Sequence, residues 1–169
     1  MQVRLLAGVA AALVAIFPVA AQPHVPRFRV RNLNPMHAAA VERALSGAAR
    51  RLENAECRRI FEDFRDGAGA PLQERLDALG LAAPDYLSYI VFADGFGSRS
   101  CHGGDVMAVT APGSRVVHVC GRAFAEAQAR SAERAELVVL HEALHTLGLG
   151  ENPPASLEIT RLVGRRCSP

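Results

Sequence analysis

Residues 141–151 read HEALHTLGLGE and combine a helical pattern with a metal-binding one. Leucines recur at helical spacing along this stretch and the segment before it: Leu137, Leu140, Leu144 and Leu147. The spacing predicts a helix over residues 132–147 whose leucine stripe is the buried side. Ser131 is suited to cap its start, and Gly148 is suited to end it.

Two histidines and a glutamate on this helix have the spacing of a metal site. His141 and His145 are four positions apart, so both imidazoles project from one side of a helix and can share a cation. Glu142 lies beside them, where its carboxylate can accept a proton from water instead of ligating the ion. Zinc (Zn²⁺) suits two imidazoles, a carboxylate and one open position. We therefore predict a zinc site; the alternative is an accidental pattern in a structural module without metal.

The stretch HEALHTLGLG resembles the zincin metallopeptidases, and among them the metzincin clan with its pattern His-Glu-x-x-His-x-x-Gly-x-x-His/Asp. The resemblance implies five roles: zinc ligands His141, His145 and Glu151, general base Glu142, and turn residue Gly148. It also implies a sheet packed behind the active-site helix, with substrate lying along an edge strand. Two features depart from the clan: the third ligand position is Glu, and no methionine follows it. The methionines are Met1, Met36 and Met107.

The third zinc ligand has two candidates. Glu151 stands where a glycine turn delivers the third ligand of the metzincins. Glu158 lies on a helix expected over residues 154–163, which resembles the gluzincins, where a glutamate ligand comes from a second helix. In that family the separation from the motif is generally longer. The ordinary roles are a polar loop residue for Glu151 and a surface partner of Arg161 for Glu158. We favour Glu151 and keep Glu158 as the alternative.

Four cysteines in a chain that we expect to be exported predict two disulfides. The segments VMAVT (106–110) and RVVHV (115–119) flank APGS, whose Pro-Gly pair suits the centre of a tight turn, and together they predict a hairpin. Pairing outward from the turn brings the flanks of Cys101 and Cys120 together. The other two cysteines then join the first helical region to the C-terminal tail. The predicted pairs are Cys101–Cys120 and Cys57–Cys167; a zinc-thiolate site is disfavoured because no two cysteines are close in sequence.

Residues 1–21 have the features of an export signal peptide. Arg4 precedes an apolar run that Pro18 closes, and small residues follow at the spacing that a signal peptidase prefers. The run is short for a membrane anchor. We expect residues 22–169 to form a single domain, secreted or periplasmic, with no stable membrane insertion after signal cleavage.

The charge pattern points to no nucleic-acid partner. The formal net charge is +2, and every basic residue is arginine. The arginine-rich stretch 50–66 interleaves both signs of charge at helical spacing, which is typical of a solvated helix face.

The remaining pattern predicts an α+β fold, with a small mixed or antiparallel sheet packed against helices. A helix is expected over residues 36–65, with an interruption near 53–56 as an option. A shorter helix is expected over 71–80, between a proline and a glycine. The segment YLSYIVFAD (86–94) is rich in β-forming residues and predicts a strand.

Several other polar residues are weaker candidates for a role in catalysis. His118 alternates with valines and is expected to be exposed or at a sheet edge, where a substrate contact is the less favoured role. His102 is a loop residue by default. Tyr86 and Tyr89 are able to polarise a peptide carbonyl, although packing in a strand is the default for both. Two histidines carry no signal, His24 and His37.

These observations predict an exported zinc-dependent metallopeptidase that hydrolyses a peptide or protein substrate, with Glu142 as general base. The alternative is a disulfide-stapled secreted binding protein whose zinc site is structural or catalytically silent. Retention of Glu142 favours the enzyme, because a purely structural site needs no base. The oligomeric state is left open by the sequence.

Overall fold

A mixed sheet with helices packed on it makes up the part of the chain that the structure describes. The computed structural model describes residues 27–104 and 106–168. The strands are β1 (Arg29–Arg31), β2 (Val91–Asp94), β3 (Ala108–Val109) and β4 (Val116–Val119). The helices are α1 (Pro35–Leu52), α2 (Ala55–Arg58), α3 (Ile60–Asp63), α4 (Leu72–Leu79), α5 (Ala83–Tyr89), α6 (Gly121–Arg130), α7 (Ala132–Thr146) and α8 (Ser156–Cys167). The predicted α+β class is confirmed.

The sheet has the strand order β1-β2-β4-β3, which leaves β3 at one edge. Strands β1, β2 and β4 run parallel, and β3 pairs antiparallel with β4. The predicted hairpin joins β3 and β4. In its turn the Ser114 N–H donates to the Ala111 carbonyl at 2.9 Å. Gly113 has φ +78°, a conformation that favours glycine. Strand β3 is shorter than the predicted 106–110.

The helix predicted over residues 36–65 is divided into α1, α2 and α3. Asn34 caps α1 by accepting the His37 N–H at 2.9 Å. Asn54 caps α2 by accepting the Glu56 N–H at 2.8 Å, so the chain is interrupted just after Leu52. The option of a break near 53–56 is therefore the correct one.

The strand predicted over residues 86–94 is wrong in its first half. Residues 83–89 form helix α5, and only Val91–Asp94 form strand β2. Pro84 in the first turn suits a helix start, and the buried residues follow helical rather than alternating spacing. Those residues are Ala83, Tyr86, Leu87 and Ile90. Tertiary burial of this helical face outweighs the β propensity of its tyrosines.

Helix α7 is central and is covered on both sides. It packs against α1, α6 and α8, and against β3 and β4. Three residues of the predicted stripe are buried, Leu140, Leu144 and Leu147, whereas Leu137 is only half-buried. The polar side of the helix is buried as well. It carries His141, Glu142, His145 and Thr146.

Both predicted disulfides are present. Cys57–Cys167 joins α2 to the end of α8, with 4.4 Å between the Cα atoms, and Cys101–Cys120 joins the loop before β3 to the start of α6. Two disulfides fit an oxidising, extracellular environment. The predicted export signal lies outside the described residues. Within those residues, no helix is long and apolar enough to cross a membrane.

Candidate metal centre

The two histidines of α7 point their Nε2 atoms at each other. Ser131 caps the helix by accepting the Arg134 N–H at 3.2 Å. One turn apart near its C-terminal end, His141 and His145 are both buried, and 3.0 Å separates their Nε2 atoms. The predicted placement of both imidazoles on one side of a helix is therefore what the structure has.

The far nitrogen of each imidazole has a hydrogen-bond partner. His145 Nδ1 lies 2.8 Å from the Leu149 carbonyl oxygen. Because a carbonyl oxygen can only accept a hydrogen bond, the proton of the neutral His145 ring is on Nδ1, and Nε2 has a free lone pair. His141 Nδ1 lies 3.1 Å from the Thr160 hydroxyl of α8. Burial first, and then His145, lowers the pKa of His141 to about 4, so its ring is neutral near pH 7, as a metal ligand must be.

A glycine turn after α7 brings Glu151 to the histidines. Gly148 has φ +109°, in the region that favours glycine, and a Cβ there would lie 3.2 Å from Asp66. The turn places the Glu151 carboxylate 3.6 Å from His141 Nε2 and 3.4 Å from His145 Nε2. The three donor atoms form a cluster that could hold a metal ion.

The distances within this cluster suit zinc. Ligand atoms bound at about 2.0–2.1 Å in a tetrahedral site lie roughly 3.3 Å apart. The three separations here are 3.0, 3.4 and 3.6 Å. The Glu151 carboxylate, the lone pair of His145 Nε2 and the His141 ring converge on one point, and a cation there would be bound by all three. His141, His145 and Glu151 would hold it.

Glu142 is the buried acid beside the cluster. The residue is only 6 % exposed, and its Oε2 has no hydrogen-bond partner among the described residues. Burial, and secondly the Glu151 carboxylate, raises the pKa of Glu142 to about 8, while the backbone N–H of Thr110 opposes the shift. A buried carboxyl oxygen without a partner is costly, and such groups concentrate at functional sites.

No family profile, curated protein or solved structure matches the chain. The zincin resemblance therefore rests on the motif residues and on what surrounds them.

A cleft runs past the cluster along the edge strand β3. A cavity of about 350 Å³ is lined by the three cluster residues, by Glu142 and by β3. A neighbouring cavity of about 660 Å³ shares His141, Glu142 and part of the β3 region with it and extends along α7. The hairpin turn is fixed to α7, since the Gly113 N–H donates to the His145 carbonyl at 2.8 Å. We call the two cavities together the cleft.

The alternative ligand lies elsewhere. Glu158 is in the first turn of α8, is exposed and is not part of the cluster. It forms no ion pair with any residue that the structure describes, so the predicted contact with Arg161 is wrong.

The weaker candidates do not line the cleft. Tyr86 is buried in α5 rather than in a strand, and its hydroxyl is 2.8 Å from Thr146 Oγ1. Tyr89 carries the Arg115 guanidinium over its ring at 3.2 Å.

His118 is exposed on β4, as predicted, although β4 is an inner strand. His102 is exposed in a short 3-10 turn at 99–102. His37 lies beside the Asn34 cap, and His24 is outside the described residues.

Sequence reasoning missed the groups that orient the site. Thr160 is the side chain that contacts His141 from another helix, and its sequence spacing gives no sign of this. The Leu149 carbonyl and the Thr110 N–H are backbone groups. Every residue has such groups, so the sequence cannot show which of them contact the site. The predicted Cys57–Cys167 bond was the one available signal, since it ties the end of α8 to the rest of the fold.

Proposed function

We propose that this chain is an exported zinc-dependent metallopeptidase. The observation that carries the proposal is the convergence of two imidazole nitrogens and the Glu151 carboxylate within 3.0–3.6 Å, next to a buried Glu142 carboxyl whose Oε2 has no partner among the described residues. A structural metal site has no use for that fourth group, whereas hydrolysis needs a base beside the attacking water.

The chemistry divides between the ion and the chain. A zinc ion, when bound, supplies Lewis acidity towards water and a carbonyl oxygen. The ionised Glu142 carboxylate removes a proton from the attacking water and later delivers it to the leaving nitrogen, so the proton is conserved over one cycle. Glu142 lines the cleft, and its Oε2 has no hydrogen-bond partner among the described residues, which leaves that oxygen available to water.

Strand β3 supports a peptide as the substrate. It is an edge strand and lines the cleft beside Glu142. An edge strand has unpaired backbone donors and acceptors, and an extended peptide can pair with them. This agrees with the arrangement that the zincin resemblance implies. Export is supported by the two disulfides and by the sequence pattern of residues 1–21.

The test combines metal analysis with a peptide digest. We expect the purified chain to contain zinc and to cleave members of a peptide library, and Glu142→Gln to keep zinc and lose cleavage. Glu62→Gln is the matched control, because Glu62 is exposed on α3 and distant in sequence from the cleft. A chain that holds zinc but cleaves nothing would be the silent-site binding protein. Cleavage by Glu142→Gln at the wild-type rate would show that Glu142 is not the general base.

A further inference from the structure

Helix α8 contributes one side chain to the histidine cluster, and it does so from behind. Thr160 Oγ1 lies 3.1 Å from His141 Nδ1, on the side of the ring away from Glu151. His145 receives the equivalent contact from a backbone carbonyl four residues later in its own turn. The two imidazoles are thus oriented by different kinds of group.

The rotation of α8 about its axis is fixed by packing. Ile159 and Val163 are fully buried on one side of the helix, and Thr160 follows Ile159 directly. Gly164 lies against α7, since a Cβ there would be 4.0 Å from Leu137. These contacts hold the Thr160 hydroxyl near the imidazole.

The far end of α8 is fastened to α2 and α3. Cys167 is bonded to Cys57, and Arg166 donates to the Asp63 carboxylate at 2.8 and 3.1 Å and also to Glu56. Thr160 lies about two helical turns before these fastenings. The position of its hydroxyl therefore depends on contacts between segments far apart in sequence.

We propose that Thr160 is a positioning residue that holds the His141 ring with its Nε2 towards Glu151. A hydroxyl can donate or accept, so it can bond to Nδ1 in either neutral form of the ring. When Nε2 binds an ion, the proton is on Nδ1 and the Thr160 oxygen accepts it. This inference rests on the proposed metal site, and it adds a residue that the motif does not contain.

The tautomer matters because His141 has two ways to be neutral. With the proton on Nε2, the ring donates to His145 Nε2, 3.0 Å away, and has no lone pair for an ion. With the proton on Nδ1, both Nε2 atoms present lone pairs to the same point. Hydrogen bonds to the non-ligating nitrogen fix the tautomer and orientation of metal-binding histidines, and losing such a partner commonly costs 10- to 100-fold in metal affinity.

The experiment compares Thr160→Val, which keeps the shape and removes the hydroxyl, with Thr160→Ser, which keeps the hydroxyl. Zinc affinity is measured with Zn²⁺ alone, by competition with a chelator. The Nδ1–H signal of His141 is followed by NMR of zinc-loaded, ¹⁵N-histidine-labelled protein. Arg161→Ala, an exposed neighbour, is the control.

Thr160→Val should weaken zinc binding by about 10-fold or more and expose the Nδ1–H to exchange with water. Thr160→Ser and the control should stay close to wild type. Equal effects of Val and Ser, or a wild-type affinity and Nδ1–H signal in Thr160→Val, would overturn the inference. Neither measurement uses a substrate. If Thr160→Val weakens zinc binding as expected but the chain cleaves no peptide, the proposed function fails and this inference stands.

Discussion

The two histidines of α7 have supports of contrasting origin. The local support is the turn 147–151, which gives His145 a carbonyl four residues away and delivers Glu151. The distant support is α8, which reaches His141 from Thr160, 19 residues away, and is fastened by a disulfide spanning 110 residues. The local support forms with the end of one helix. The distant support exists only when the whole chain has folded, so it would couple the affinity of the proposed zinc site to global stability.

The largest effect expected from this contrast comes from the two disulfides. Cys57→Ala/Cys167→Ala should lower the free energy of unfolding by about 4–5 kcal/mol, and Cys101→Ala/Cys120→Ala by about 3 kcal/mol, because the longer closed loop restricts the unfolded chain more. Only the first pair fastens α8, so only it should also weaken zinc binding. Urea unfolding and chelator competition measure the two quantities, and equal zinc affinities in both variants would contradict the coupling.

A smaller effect, on the pH dependence of the unfolding free energy, tests whether water is excluded from the polar side of α7 in metal-free protein. Glu142 has a pKa raised from 4.5 to about 8, so the folded state keeps a proton that the unfolded chain has lost. Its stabilising contribution is complete below pH 4.5 and is lost as the pH rises to 8. His141, whose pKa is lowered from 6.5 to about 4, contributes above pH 6.5 and loses that contribution as the pH falls towards 4.

Between pH 6.5 and 8, only Glu142 of this pair changes its contribution. In EDTA the wild-type protein should lose up to about 2 kcal/mol of unfolding free energy over that window, whereas Glu142→Gln should lose little. Urea midpoints at the two pH values decide the matter. Parallel curves for wild type and Glu142→Gln would mean that this carboxyl is not desolvated.

The local support is tested by its glycine. Gly148→Ala forces a side chain into φ +109° and brings it to Asp66, so it should cost about 1–2 kcal/mol and weaken zinc binding by displacing Leu149 and Glu151. Gly150→Ala is the matched control, since a Cβ there meets nothing within 4 Å. It should change stability by less than about 0.5 kcal/mol. Thermal unfolding with and without zinc measures both effects. Wild-type stability and zinc binding in Gly148→Ala would show that this turn does not position the ligands.

The same contrast explains what the sequence could predict. Helix α7 follows from its leucine spacing and Ser131 cap, and the turn follows from Gly148, because all of these signals lie within one short segment. The hairpin, and through it both cysteine pairs, follows from equally local turn chemistry at APGS.

What the sequence could not predict depends on contacts between distant segments. The tyrosines at 86 and 89 suggested a strand, but packing of a helical face made α5. Leu137 was placed in the core by its spacing, yet it lies half-exposed along the cleft. Glu158 was paired with Arg161 by proximity alone, and Thr160 was overlooked because its partner is on α7.

The central claim is that Glu151 completes the metal centre with His141 and His145. The direct measurement is the zinc content of purified wild type, Glu151→Ala and Glu158→Ala after dialysis against a weak chelator. Both glutamates are exposed, so neither change should unfold the chain. Wild type and Glu158→Ala should retain one zinc ion per chain, and Glu151→Ala should lose it. Loss from Glu158→Ala with retention in Glu151→Ala, or a wild type without zinc, would contradict the account.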